Sequence, residues 1–238
     1  MTAKSSIDQI IGDNLKSIYD SMNEACTLAG RSFDAVSLLA VTKTVDADRI
    51  NAAIHHGVSQ IGENHVQEYL GKLDLLNLTN ISAHLIGHLQ TNKVKQIVGT
   101  VDMIQSVDSQ RLAKAISDRS VDCGIVTPIL VEVNIGGEEA KSGIEPDLTE
   151  ELLWQIRDFP GISVRGLMTV PPILSTEKEK RQVFSKMYQL FVDIRSKNID
   201  NISMLELSMG MSGDYREAIL EGSTMVRIGS ALFGDRHY

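Results

Sequence analysis

Cysteine is scarce in this sequence: Cys26 and Cys123 are the two in 238 residues, too few for a disulfide framework. Positive charge is in short supply as well. Lys and Arg number 23 against 31 Asp and Glu, for a formal net charge of -8, and no Lys/Arg-rich run of useful length occurs. An extended nucleic-acid surface is therefore not expected, whereas a local anion pocket is compatible with an acidic protein. Long apolar runs are missing too. The stretch from Ile125 to Val133 is interrupted by Pro128 and Glu132 and is much too short to span a bilayer. Met1 to Gly30 opens with polar, charged and helix-forming residues in place of an apolar signal core. The expectation is a cytoplasmic protein with neither membrane nor nucleic acid as partner, so the glycosylation-like triplets at Asn77, Asn80 and Asn201 read as chance matches. No segment is long enough to be an interdomain linker and no internal repeat stands out, which predicts one domain over 1–238.

What is present is ordinary globular composition, 42% apolar and 23% charged, in a chain long enough to bury a full core. Ile7, Ile10, Ile11, Leu15, Ile18 and Met22 recur at helical spacing and predict a long amphipathic helix over about 5–29. Short β-branched runs follow near 37–42, 58–61, 82–86, 101–105, 126–134, 162–168, 203–207 and 225–228, and helical periodicity fills seven of the intervals between them. Eight strands alternating with helices predict an α/β fold of the TIM (β/α)8 barrel type with an additional N-terminal helix. An open doubly wound sheet is the alternative. It is disfavoured because no Gly-x-Gly-x-x-Gly turn follows the first strand.

Chemistry concentrates where strands end. Leu38 to Val41 deliver Lys43 to the C-terminal mouth of the first strand, where a partly desolvated amine can form a Schiff base with a carbonyl compound. A lysine in that position is also a common solvated residue, so the other strand ends matter. Ser208 to Asp214 follows predicted strand seven and Gly229-Ser230 follows strand eight, the two loops that commonly cradle a phosphate on this fold. Ser208 or Ser212 can add a hydroxyl donor, Ser212 being preferred because it can also cap the helix over 215–220. Arg227 precedes Gly229 by two residues, so alternation sends both to one side, and its guanidinium suits the ring nitrogen of a pyridine cofactor. Asn64, in another strand-end loop, is placed to contact a cofactor hydroxyl. His84 and His88 flank a strand end and turn, and His55 and His56 are merely adjacent, so no metal set is predicted.

These residues together resemble the pyridoxal phosphate homeostasis protein family. The matching text is Leu39-Ala40-Val41-Thr42-Lys43, Ile61-Gly62-Glu63-Asn64 with Val66-Gln67-Glu68, His84 through Lys93, Lys141-Ser142-Gly143, Gly166-Leu167-Met168-Thr169, Leu207 through Ser212 with Asp214, and Gly222 through Gly234, spanning roughly residues 37 to 235. The resemblance implies a monomeric barrel similar to the N-terminal domain of alanine racemase. It implies pyridoxal 5'-phosphate bound covalently to Lys43 as an internal aldimine. By the same resemblance Ser212, Gly229 and Ser230 are phosphate contacts, Arg227 is the partner of the pyridine nitrogen, Met209 and Asn64 are walls of the pocket, and Lys141 is a secondary cofactor contact. It further implies intracellular vitamin B6 homeostasis without a defined catalytic reaction, and transient contact with PLP-dependent apo-enzymes. Ala83 and Leu85 depart from the family by standing where aromatic residues are common. The rival reading is a PLP-dependent amino-acid racemase, which needs acid/base groups on both faces of Cα. Lys43 can supply one, no tyrosine segment announces the other, and the chain ends at Tyr238 without the extra β domain of a similar racemase. A small-molecule-free interaction protein is a third reading.

Overall fold

A computed structural model describes residues 3–137, 142–172 and 174–234. Eight parallel strands close on themselves in chain order: β1 (Ser37–Val41), β2 (Gln60–Glu63), β3 (Ser82–Leu85), β4 (Met103–Val107), β5 (Thr127–Glu132), β6 (Ile162–Met168), β7 (Ile202–Met211) and β8 (Met225–Ile228). Closure is made by β1 against β8, with Leu39 in register with Arg227 and Ala40 with Ile228. The helices are α1 (Ala3–Leu28), α2 (Ala47–His55), α3 (Val66–Lys72), α4 (Val94–Ile97), α5 (Gln110–Asp122), α6 (Pro146–Ile156), α7 (Glu177–Ser196), α8 (Tyr215–Leu220) and α9 (Ser230–Phe233). The barrel and its leading helix agree with the periodicity, and the open-sheet alternative falls. None of the described helices is long and apolar enough to cross a membrane.

Local chemistry sets the helix starts. Asp46 caps α2 by accepting from the Arg49 N–H, Ser109 does the same for α5 through Leu112, and Thr176 with Glu179 forms a reciprocal capping box at α7. Such caps satisfy amides that a helix leaves unpaired. Pro146 occupies the first turn of α6, where its missing N–H costs nothing.

The strand faces then divide. Leu38 and Ala40 join the large cluster between strands and helices, with Ile11, Leu15, Ile50, Phe184 and Ile228 among its members. Their neighbours Leu39 and Val41 form a separate cluster with Met225, and Met103, Leu130 and Met168 form another. These two are the barrel's own interior, as strict alternation requires. Burying each such aliphatic side chain contributes roughly 1.5–3 kcal/mol.

Strand ends differ from the sequence expectation by two residues or more at β2, β4, β5 and β7. Hydrogen-bonded pairing starts at Gln60, two residues after Val58, because Gly57 with φ +100° turns the chain out of α2 first. β7 runs on to Met211, and its register with β8 slips between Ser208 and Met211. Gly210 sits in that slip at φ +93°, where a Cβ would lie 2.5 Å from the Ala218 Cβ. Only glycine fits a bulge pressed this closely on α8.

Candidate functional site

The C-terminal ends of the strands enclose a cleft of about 310 Å³, bounded by Lys43, Asn64, Ser212, Arg227, Gly229 and Ser230, with Val41, Ile86, Val170 and Met211 as its apolar walls. That volume suits a small cofactor. A larger depression beside α7, about 700 Å³, is lined by Lys178, Arg181, Gln182 and Ser185 and holds no strand end. The cleft is the candidate because it lies where barrel enzymes and binding proteins place their chemistry.

Lys43 stands in the turn directly after β1 and is half-buried. The turn is held from beneath. Lys72, on α3, is 8% exposed; its Nζ lies 2.6 Å from Glu63 Oε2, 2.8 Å from the Thr42 carbonyl and 3.0 Å from Glu68 Oε1. Glu68 also accepts from the backbone N–H of Thr44, a residue at φ +60°. Both neighbours of Lys43 are therefore tied to one buried ion pair. Glu63 Oε1 accepts in addition from the Asn64 N–H at 2.9 Å, so the same pair orients the next strand-end loop. Sequence reasoning missed Lys72. The Glu68–Lys72 spacing of four signals a helical pair, but Glu63 lies on another element.

At the far end, Ser212 Oγ accepts from the N–H groups of Gly229 at 3.1 Å and Ala231 at 3.2 Å. A hydroxyl and two amides at the start of α9 thus converge. Ser212 does not cap α8, as the sequence had suggested. Asp214 is the N-cap residue, and its carboxylate instead accepts from the Met211 N–H at 2.6 Å, closing the turn that carries Ser212.

Arg227 is buried. Its Nη1 donates to Ser208 Oγ and its Nη2 to the Thr169 carbonyl, each at 2.7 Å. Burial pulls its pKa down to about 10, opposed by Glu132 and Asp214, so it stays a cation at neutral pH. Ser208 Oγ donates to Gln105 Oε1 at 2.8 Å, and Gln105 Nε2 reaches His84 Nδ1 at 2.7 Å and Met225 Sδ at 3.2 Å. His84 Nε2 closes the chain on Ser82 Oγ at 3.0 Å. Burial lowers the His84 pKa to about 4, against a raising influence from Asp102. A neutral ring that accepts from Gln105 at Nδ1 carries its proton on Nε2 and donates there to Ser82, giving one continuous donor direction from Arg227 to Ser82. Glu132 is also buried beside this system; burial and Asp108 raise its pKa to about 7 against the pull of Arg227.

The cleft brings together Lys43, Asn64, Ser212, Arg227, Gly229 and Ser230. Met209 is not among them: it is fully buried in the layer between strands and helices, and Met211 takes the place at the cleft wall. The slip at Gly210 turns Met211 to the cleft while Met209 keeps its outward seat. Lys141 lies outside the described residues.

Residues 14–237 match the alanine racemase N-terminal domain family, which defines the class of protein to which this barrel and its mouth belong. The chain is 41% identical over 226 residues to a pyridoxal phosphate homeostasis protein of Aquifex aeolicus, covering 95% of this chain and 98% of that one. It is 36% identical to the protein of that name from Escherichia coli K12, with 96% and 97% covered. The structure of PipY from Synechococcus elongatus with PLP bound superposes with a TM-score of 0.81 at 30% identity, covering 94% and 100%. The chain is a member of the pyridoxal phosphate homeostasis protein family.

The residues present suit pyridoxal phosphate on their own chemistry. Asn64 Oδ1 is buried with no hydrogen-bond partner among the described residues, an unmet acceptor at the cleft that a ligand hydroxyl satisfies. Arg227 supplies a fixed cation and the Ser212 turn supplies donors for an anion.

Proposed function

We propose that this chain holds pyridoxal 5'-phosphate at the barrel mouth, covalently attached through the Lys43 amine, and releases it to PLP-dependent apo-enzymes rather than turning over a substrate of its own. The observation that carries this reading is the shared cleft: Lys43, Arg227 and the Ser212, Gly229 and Ser230 cluster border one volume. When bound, the cofactor supplies a reactive aldehyde and an electron-withdrawing ring. The chain's residues define how it sits. Ser212, Gly229 and Ser230 receive the phosphate, Arg227 faces the ring nitrogen, Asn64 meets the ring hydroxyl and Met211 forms a wall. Arginine keeps its proton, so the ring nitrogen stays largely unprotonated and the cofactor is a weak electron sink, which suits storage more than catalysis. Lys141 serves as a secondary contact during transfer, and the whole chain acts as one cytoplasmic, monomeric domain.

Racemisation requires a second acid/base group facing Lys43 across the substrate. No tyrosine is among the described residues lining the cleft. The test is an absorption spectrum near 420 nm, with borohydride reduction and peptide mass mapping, on wild type and Lys43→Ala. A reducible chromophore on Lys43, absent from the variant, upholds the reading; absence of any chromophore after pyridoxal phosphate is added rejects it. Sustained stereospecific exchange of amino-acid Cα protons by the pure protein would establish the racemase instead.

A further inference from the structure

Away from the cleft, where α1 packs against α2, three ligand-type side chains from two elements converge. Asp8 on α1 faces His55 and His56 at the C-terminal end of α2. His55 Nδ1 lies 3.5 Å from Asp8 Oδ1, and His56 Nε2 lies 3.3 Å from Oδ2. One ligand atom from each of the three falls within 4.8 Å of the other two. Both N···O separations exceed the 2.7–3.2 Å of an N–H···O hydrogen bond. Each is close to the edge of a tetrahedron whose metal–ligand bonds are about 2.0–2.1 Å, an edge of about 3.4 Å, with the two imidazoles set against different oxygens of the one carboxylate.

The spacing is supported by how His56 is seated. Gly12, inside α1, faces the imidazole so closely that a Cβ there would lie 2.7 Å from His56 Cε1. A glycine in a helix interior costs about 1 kcal/mol relative to alanine, and at this position it opens the berth for the ring. The two imidazoles are 5.3 Å apart at an interplanar angle of 67°, so they do not stack and their nitrogens can turn to a common point. Asp8 is 43%, His56 30% and His55 76% exposed, which admits a cation and leaves room for water at the fourth position.

We infer that Asp8, His55 and His56 bind a divalent cation of the borderline class that prefers imidazole and carboxylate, with Zn²⁺ as its best match. The site joins α1 to α2. α1 also packs against α8 and α9, and Asn14 donates to the Leu232 carbonyl of α9 at 3.0 Å. A cation here fastens the helix on which the cleft's α9 rests. The set escapes the sequence because adjacent histidines point to a site only when a third ligand is known, and Asp8 lies on a different helix.

The test is calorimetric titration of the full-length protein with Zn²⁺, alongside titration with Co²⁺ followed by visible absorption. The comparison variants are His55→Gln and Asp8→Asn, whose exposed positions leave packing intact, with circular dichroism to verify the fold. Wild type should bind one equivalent, give the visible bands of a four-coordinate cobalt site and gain melting temperature with Zn²⁺. Each variant should bind at least about 10–100-fold more weakly, the range seen even for supporting residues, and lose both signals. Absence of one-equivalent binding in wild type, or equal binding by folded variants, overturns the site.

Discussion

Gln105 on β4 holds its Nε2 2.7 Å from His84 Nδ1, and its carbonyl oxygen accepts from the Ser208 hydroxyl that itself supports Arg227. The amide is fully buried. Its donor and acceptor are therefore both committed, and reversing the amide would set donor against donor at Ser208. Replacing Gln105 with Leu leaves Ser208 and His84 each short of a partner, at about 1–3 kcal/mol per orphaned group. Urea denaturation should show that loss, and the spectrum of bound pyridoxal phosphate should shift as Arg227 loosens. A Gln105→Leu protein as stable as wild type would show that the chain contributes nothing.

Two buried groups give opposite pH slopes. The folded pKa of His84 is depressed to about 4, so the unfolded chain takes up a proton first as pH falls below about 6.5. The His84 contribution is thus complete above that value and is lost between 6.5 and 4. Glu132 is the reverse: its folded pKa is raised to about 7, so its contribution is complete below the unfolded value near 4.5 and is lost as pH rises toward 7. Each slope approaches about 1.4 kcal/mol per pH unit within its window. They oppose one another over roughly pH 4.5–6.5. Glu132→Gln should make stability rise with pH more steeply there than in wild type, and His84→Gln should tilt the profile the other way. Identical wild-type and variant profiles would contradict both assignments.

The Glu63–Lys72 pair under the Lys43 turn yields a third prediction. Breaking a buried ion pair from one side strands the other charge and typically costs about 3–5 kcal/mol, whereas removing both charges is often nearly neutral. Lys72→Met should therefore destabilise strongly, and Glu63→Gln in the same protein should recover much of the loss. Because Thr42 and Thr44 flank Lys43 and both depend on this network, Lys72→Met should also slow chromophore formation. Thermal melts of the single and double variants, with stopped-flow absorption, check the two effects separately.

How far the sequence reached follows from the range of each signal. Lys43, Arg227 and Gly229 were legible because each sits a fixed number of residues from a strand whose alternation is local. The barrel was legible because eight such strands recur with helices between them. Lys72 was not, since its partner Glu63 comes from a separate strand. Gln105 was not, since its contacts with His84 and Ser208 exist only after strands three, four and seven have been brought into one closed sheet. Of the two tasks read for Ser212, only the helix cap was misplaced, because a serine beside a helix reads as a cap while Asp214, two residues later, holds the N-cap position.

The different seats of Met209 and Met211 supply the last prediction. Period-two alternation continued from Ser208 would turn Met211 outward with Met209, but the slip at Gly210 sets Met211 at the cleft and leaves Met209 in the core beneath the helices. Met209→Ala should behave as a core truncation, losing about 2–5 kcal/mol while the folded protein still forms its chromophore at wild-type affinity. Met211→Ala should do the opposite, with a small change in melting temperature and a measurable loss of pyridoxal phosphate affinity by absorption titration. Gly210→Ala should combine the two defects, since a Cβ at φ +93° meets Ala218 and the bulge that sorts the methionines cannot be kept without strain. If Met209→Ala weakened cofactor binding and Met211→Ala did not, the register of β7 on β8 would have to be redrawn.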